Sequence, residues 1–325
     1  MYNDKDFEKW YEKISKQFND ELLQLNEIVE KENKNNSHNF KTIMIILLLF
    51  NIILFLAGLL LNMISVSFST IMFEIMFGLP ILIVLMFSSH KESTQKRIDI
   101  RKSIIDIMFK SFDNSIEYSP EEGISSEVYN KAGVERYNNY ASDHLMSFSI
   151  NNNYKLQMAE TSAYYEYIDR NGERKIESRF SGTFATLNTP KPFKESVYIK
   201  KDSHEQYFGS TKKVPLNSTR IELDSQEFEE NFDVYASNQI VAMQLLTSDV
   251  MVILNDFYKY MGNAFEITIK NDNIYIRVWN NLTFSNSLIK GNELDKELIY
   301  KNYRTIKFIL NISTKLVELI NETSY

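Results

Sequence analysis

The sequence predicts a membrane-anchored α+β protein: a two-helix transmembrane hairpin, amphipathic juxtamembrane helices, then a domain with a largely antiparallel sheet and a long C-terminal helix. Three observations carry this. Two apolar stretches, Thr42 to Leu61 and Phe68 to Phe87, lie back to back, each about as long as a helix needs to cross a bilayer. Apolar residues on either side of them recur at helical spacing. Beyond Tyr118 the pattern changes to period-two alternation interrupted by turn residues, and it closes on one long amphipathic run. The organisation is therefore 1–40, an N-terminal amphipathic helix and polar joint; 41–88, the hairpin, with helices at about 42–62 and 68–87; 89–117, a juxtamembrane amphipathic helix; and 118–325, a cytoplasmic α+β domain.

In the N-terminal arm, Phe7, Tyr11, Ile14, Phe18, Leu22, Leu25 and Val29 form an apolar stripe, and the polar run Lys31 to Asn39 interrupts it as a joint. The first apolar stretch holds about fifteen Leu, Ile, Phe or Val residues, with Asn51 polar in its interior, and each contributes about −0.3 to −0.6 kcal/mol to insertion. In the second, about a dozen such residues supply roughly −4 to −7 kcal/mol against a cost of at most about 3 kcal/mol for Glu74. Both stretches are expected to insert. A removable signal peptide fits the first one poorly, because a long polar arm precedes it and no small-residue cleavage site follows.

Orientation follows from the basic residues. Lys31, Lys34 and Lys41 precede the first span, while Lys91, Lys96, Arg97, Arg101 and Lys102 follow the second, and the link Asn62 to Ser67 is uncharged. The expectation is a multi-pass protein of the cell (inner, cytoplasmic) membrane with both termini in the cytoplasm. The same five basic residues after the second span are candidates for contact with anionic lipid head groups. Ile98, Arg101, Ile105, Met108, Phe112 and Ile116 then repeat the helical step through about Glu117. Because a hairpin returns both flanks to one side, pairing of the two amphipathic segments as a stalk or coiled coil is the simplest way to cover their stripes. Binding of the N-terminal helix to a protein partner is the functional alternative.

In the domain, Ser119-Pro120-Glu121-Glu122-Gly123 reads as a turn and Ser125 to Val134 as a short helix. Strands dominate from about Leu145 to Tyr235. The Asp169-Arg170-Asn171-Gly172 sequence marks a hairpin between Tyr164 to Ile168 and Lys175 to Leu187, since Asn-Gly tolerates the positive φ of a tight turn. Further strands are expected at Ser196 to Lys200, Ser218 to Leu223 and Phe232 to Ala236. A helix follows over about Gln239 to Met261, with Val241, Leu245, Val252 and Phe257 on its apolar face. A second hairpin is read at Phe265 to Val278, turning at Lys270 to Asn273. The final helix spans about Glu293 to Asn321, with Leu294, Leu298, Ile306, Leu310, Val317 and Ile320 apolar.

Several of these residues form a pattern: Ser178-Arg179-Phe180-Ser181-Gly182-Thr183-Phe184, then Arg220-Ile221-Glu222-Leu223, Phe228-Glu229, Phe232-Asp233-Val234-Tyr235, and Ala242 with Leu245-Leu246-Thr247. In order and spacing it resembles the bacterial domain-of-unknown-function 3137 family, over roughly Tyr118 to Leu319. The resemblance implies a pair of membrane helices ahead of the domain, and it carries over no activity, cofactor or catalytic residue. The quoted residues read as strand, turn and core positions rather than as a ligand site.

Recognisable chemistry is sparse. A formal charge of −7 with no basic cluster outside the juxtamembrane segment argues against nucleic acid as a ligand. No cysteine, nucleophile elbow, phosphate loop or zinc-protease helix is present, so no catalytic, cofactor-binding or metal residues are assigned. His38 and His90 flank the spans, and the separation of His144 and His204 argues against a shared ion; exposed or hydrogen-bonded histidines are expected. Glu222, Asp224, Glu227, Glu229 and Glu230 lack the grammar of a calcium loop and read as a solvated face. Tyr164, Tyr165 and Tyr167 are expected to pack across strands. Glu74 is the single membrane-embedded polar candidate. It sits at the outer interface if the span starts near Ile71, and otherwise pairs with Asn51, Asn62 or a partner subunit. The reading is a non-enzymatic binding or scaffold module at the cytoplasmic membrane surface, with the bilayer and an unidentified protein as partners and homo-oligomers allowed. An enzyme with an unrecognised site, and a subunit of an oligomeric pore or transporter, are the alternatives.

Overall fold

The computed structural model describes residues 4–16, scattered positions over 19–49, and 99–133, 136–201, 215–261, 265–280 and 289–322, apart from a few single positions. These form two compact units. One comprises Met1–Trp10, Met108–Lys290 and Leu294–Tyr325, and the other comprises Tyr11–Ile107 with Gly291–Glu293. The stretch Tyr11–Ile107 of the second is helical where described, and Ile14, Ile100, Ile104 and Ile105 in it are buried. Lys31 and Lys34 are helical, although the polar run predicts a break; the run holds no Pro or Gly, and lysine is a good helix former. Among the described residues no single helix is long and apolar enough to cross a membrane. Apart from Thr42, Ile45 and Leu49, the two apolar stretches lie outside the described residues.

The first unit is built on one sheet. Its strands are β1 (Glu117–Ser119), β2 (Asn139–Ile150), β3 (Tyr154–Ile168), β4 (Arg174–Lys201), β5 (Thr219–Ile221), β6 (Phe232–Ala236) and β7 (Phe265–Val278), every pairing antiparallel. The strand order is β1-β2-β3-β4-β6-β5, and β7 also pairs with β4. Helices α1 (residues 5–16) and α2 (102–110) precede the sheet. Within and after it come α3 (Ser126–Lys131), α4 (Gln226–Glu229), α5 (Gln239–Leu245), α6 (Ser248–Met261) and α7 (Lys296–Glu322). An antiparallel sheet with a long C-terminal helix is thus the architecture.

The sheet departs from the predicted strands in instructive ways. The second hairpin does not exist. Phe265 to Val278 is one strand lying along β4, from Thr183 opposite Val278 to Ile199 opposite Ile267. Asn271, with φ +55, marks a bulge where Asn188 opposite Asn273 is followed by Phe193 opposite Asn271. The cause lies on the partner strand: Thr189-Pro190-Lys191-Pro192 offers two residues without an N–H, so the ladder skips there and β7 kinks instead of turning. For the same reason Ser196 to Lys200 is the end of β4 and not a separate strand. The first hairpin is present at the predicted place. Only Gly172 (φ +80) takes the left-handed conformation there, with its N–H on the Asp169 carbonyl at 3.0 Å, so Asn171 is an ordinary turn residue.

Helix ends follow side-chain caps. Ser125, Ser225 and Asn238 accept from Val128, Phe228 and Ile240 N–H groups at the starts of α3, α4 and α5. Asp295 accepts from Leu298 N–H at 3.1 Å, so the C-terminal helix begins at Lys296 and not at Glu293. The single helix expected over Gln239 to Met261 is two helices bent by 70°. Leu246 leaves the helical region (ψ 58), and Thr247 then accepts from Met251 N–H as a new start. The break re-phases the apolar stripe to Val250, Leu254 and Phe257, leaving Val252 57% exposed where one continuous helix would bury it. The helix expected to run to about Glu117 stops at Lys110, because the Asp113 carboxylate accepts from the Ser115 N–H and hydroxyl and β1 follows.

Both faces of the sheet are covered. On one, Phe180, Phe184, Ala159, Ala163 and Tyr275 are buried with Tyr129 of α3. Burial pushes the Tyr129 phenol up to about 12, with the Arg277 guanidinium opposing that rise. On the other face, an aromatic cluster joins β6, α6, β7 and α7: Phe257 stacks on Phe308 at 3.9 Å, and Phe265 lies 5.1 Å from Phe308 and 5.0 Å from Phe232. The start of α1 docks on α7. Phe7, 1% exposed, meets Tyr300 edge-on at 4.8 Å, Trp10 meets Tyr303 at 4.7 Å and Phe112 at 5.4 Å, and Asp4–Arg304, Asp6–Lys307 and Glu8–Lys296 ion pairs flank them. Phe7, expected on a stripe that pairs with the second amphipathic segment, is covered by Tyr300 and Tyr303 of α7.

Candidate functional site

The most unusual local structure in the sheet is at His144. Asp143 pairs with Glu160 across β2 and β3, but the next matched pair is Met146 with Met158, so His144 and Leu145 together face Ala159. Two residues against one is a bulge, and its first residue, His144, has φ +53. Glycine fits that position without strain, whereas a histidine there costs conformational energy. The surroundings hold it. His144 N–H donates to the Pro120 carbonyl at 3.1 Å and Leu145 N–H to the Glu122 carbonyl at 3.0 Å, so the Ser119–Gly123 turn takes both bulge amides. Gly123 lets that turn approach: a Cβ there would lie 2.2 Å from the Ser142 carbonyl oxygen.

The imidazole is 6% exposed and lies parallel to the Tyr118 ring, with Nδ1 2.6 Å from the Tyr118 hydroxyl. Tyr118 in turn meets Phe109 edge-on at 5.1 Å. One ligand atom from each of Asp143, His144 and Glu160 lies within 4.8 Å of the others. Chemically this is one imidazole nitrogen and two carboxylates converging at the edge of a buried layer, with Asp143 exposed and Glu160 half-buried. Such a set can hold a proton or a cation. Next to it, Ser142 Oγ bonds Thr161 Oγ1 at 3.0 Å and accepts from Ile124 N–H at 3.0 Å, and Tyr140 donates to the Ile124 carbonyl at 2.6 Å.

Of the residues singled out in the sequence, Glu74, Asn51, Asn62, Lys91, Lys96, Arg97, Arg101, His38, His90 and His204 lie outside the described residues. Lys102 sits on α2, half-exposed. His144 is hydrogen-bonded as expected, and buried. The acidic residues near α4 do not converge: Glu229 accepts from Leu223 N–H at 3.0 Å and lies 3.4 Å from Arg220, Glu227 pairs with Lys259, and Glu230 takes Gln226 at 3.2 Å, while Glu222 and Asp224 are exposed. Tyr165 and Tyr167 pack along one strand at 6.1 Å, and Tyr167 reaches Glu177 across it at 3.0 Å. The Asp143–His144–Glu160 grouping escaped the sequence reading. The adjacent apolar pair Leu145-Met146, which breaks the alternation of β2, is the signal of a bulge there; that Glu160 lies opposite follows only from strand register.

The fold defines the class: an α+β domain on one antiparallel sheet, closed by a C-terminal helix. Residues 178–317 match the model of the family described as Protein of unknown function (DUF3137), and over that span the chain carries this family's pattern. No curated protein matches the chain. Among solved structures, the crystal structure of the mycobacterial trehalose monomycolate transport factor A, TtfA, is similar at a TM-score of 0.37 and 9% identity, over 68% of this chain and 92% of that one. The apolar residues quoted from that pattern include core positions: Phe180, Phe184, Ile221, Phe228, Phe232, Val234, Ala242 and Leu245 are buried.

Proposed function

We propose that this protein is a membrane-tethered binding or scaffold module, whose α+β domain works at the cytoplasmic membrane surface and recruits a protein partner there. One observation supports the tether geometry above others. The chain leaves the first unit at Trp10 and re-enters it at Met108, and Trp10 Nε1 donates to Ser111 Oγ at 2.8 Å. Residues on either side of the excursion thus touch. An excursion that begins and ends at one point crosses a bilayer an even number of times, as two apolar stretches with an uncharged link require. The excursion also carries the basic residues that follow the second stretch, which favour the cytoplasmic side and anionic lipid.

The chain has no cysteine, which makes the test direct. Single-cysteine variants Ser65→Cys, in the link, and Asn171→Cys, in the exposed hairpin turn, are treated in intact cells with a membrane-impermeant maleimide. Ser65→Cys is expected to label in intact cells and Asn171→Cys only after lysis. Equal labelling of both before lysis sinks the proposal.

A further inference from the structure

We propose that the N-terminal half of α7 is a recognition groove for an acidic helix, and that its occupant is exchanged between copies: residues 4–10 of one chain dock on α7 of a second copy of this chain. The inference rests on the tether reading above, which supplies neighbouring copies by confining them to one membrane. The groove is defined by what fills it. Phe7, 1% exposed, meets Tyr300 at 4.8 Å and Tyr303 at 5.3 Å. Around that anchor three acids meet three cations: Asp4 with Arg304 at 3.2 Å, Asp6 with Lys307 at 3.0 Å and Glu8 with Lys296 at 2.9 Å. An aromatic anchor flanked by complementary charge is how an amphipathic helix is read in a groove.

Two features make this docking exchangeable. The first is how the segment is held. Its ion pairs run from side chain to side chain, and the Asp6 and Glu8 side chains are 71% and 51% exposed, so water and salt reach them. The helical start is also capped from within, because the Asp4 carboxylate accepts from the Asp6 and Phe7 N–H groups at 3.1 Å, and that cap travels with the segment. The second feature is connectivity. Residues 1–10 belong to the first unit, yet the chain that joins them to Met108, where that unit resumes, belongs to the other unit. The same contacts form whether the segment comes from its own chain or from a second copy, and two copies held in one bilayer have the local concentration that favours exchange.

The chain has no cysteine, so single substitutions report the exchange. Full-length Asp6→Cys and Lys307→Cys proteins are mixed in detergent, reconstituted together into liposomes and treated with a short bismaleimide. A covalent dimer is expected from the mixture and not from either variant alone, and high salt during the treatment should reduce it. Adding Lys296→Glu to the Lys307→Cys chain should cut the yield about fivefold, because Glu8 then meets a like charge, and adding Glu8→Lys to the Asp6→Cys chain should restore it. The doubly substituted Asp6→Cys/Lys307→Cys chain separates the occupants: a linked monomer from it, with no dimer from the mixture, shows that each chain keeps its own segment and overturns the proposal. No linkage in either sample, or a dimer whose yield ignores Lys296→Glu, overturns it as well. Cross-linking reads the groove whichever side of the membrane the domain faces, so its failure is distinct from failure of the impermeant-maleimide assay.

Discussion

Gly182 is the residue of the family pattern whose replacement has the best-defined consequence. It lies on β4 opposite Thr161 of β3, next to the start of the β7 pairing at Thr183–Val278. A Cβ at Gly182 would stand 2.0 Å from the Val278 carbonyl oxygen and 2.9 Å from Asn280 N, against an ordinary contact of 3.4 Å or more. Both obstacles are backbone, so Gly182→Ala has to push β7 away from β4. The shift strains neighbours in a layer that holds Phe180 and Phe184, a kind of overpacking that costs about 1–3 kcal/mol. It also lengthens ladder bonds near Thr183 and the Asn280 Nδ2 to Thr183 Oγ1 bond of 2.9 Å. Two hydrogen bonds at about 0.5–1.5 kcal/mol each bring the total to roughly 2–6 kcal/mol. For a domain of this size that is a fall in melting temperature of roughly 5–20 °C. Circular dichroism melts of the full chain in detergent read it. An unchanged midpoint in a well-folded Gly182→Ala protein would refute the claim that the pattern marks close strand packing.

Three further outcomes are expected. Tyr129 has its folded pKa raised from 10.0 to about 12, so the folded state retains a proton that the unfolded state releases; its contribution is complete below pH 10 and is lost as pH rises through 12, about 3 kcal/mol in all. Alkaline unfolding monitored at the tyrosinate band should show that loss, and Tyr129→Phe should remove it. Thr305, buried on α7, has a hydroxyl without a hydrogen-bond partner, so Thr305→Val should raise stability by about 1–2 kcal/mol in denaturant titrations, and a loss of stability would show a hidden partner. Phe7→Ala should free the start of α1 from α7 at a local cost of about 3–5 kcal/mol, seen as faster tryptic cleavage at Lys5 and Lys9 and a red-shifted Trp10 emission; unchanged cleavage contradicts the docking.

Local rules reached far into this chain. Phe232–Ala236 is the predicted strand to the residue, because a short apolar run between turn residues has few alternatives. The Asp169–Gly172 hairpin and the C-terminal helix follow from turn and cap chemistry held within a few residues. What failed was long-range. Whether Lys270 to Asn273 turns or bulges depends on the two prolines of β4, far away in sequence, and the apolar face of α6 depends on a break at Leu246 that periodicity averages over. The candidate site failed for the same reason: Asp143 and His144 are adjacent, but Glu160 joins them only through the β2–β3 register.

By itself, then, the sequence determined the antiparallel α+β class, the two apolar stretches and the family pattern, since each is written in spacing and composition along a short window. Only the tertiary structure decided that Phe7 is covered by α7, that Trp10 meets Ser111, and that a histidine in a left-handed bulge stands beside two opposed carboxylates. These are contacts between residues distant in the chain, and their energies exist only once the sheet register and helix docking bring those residues together.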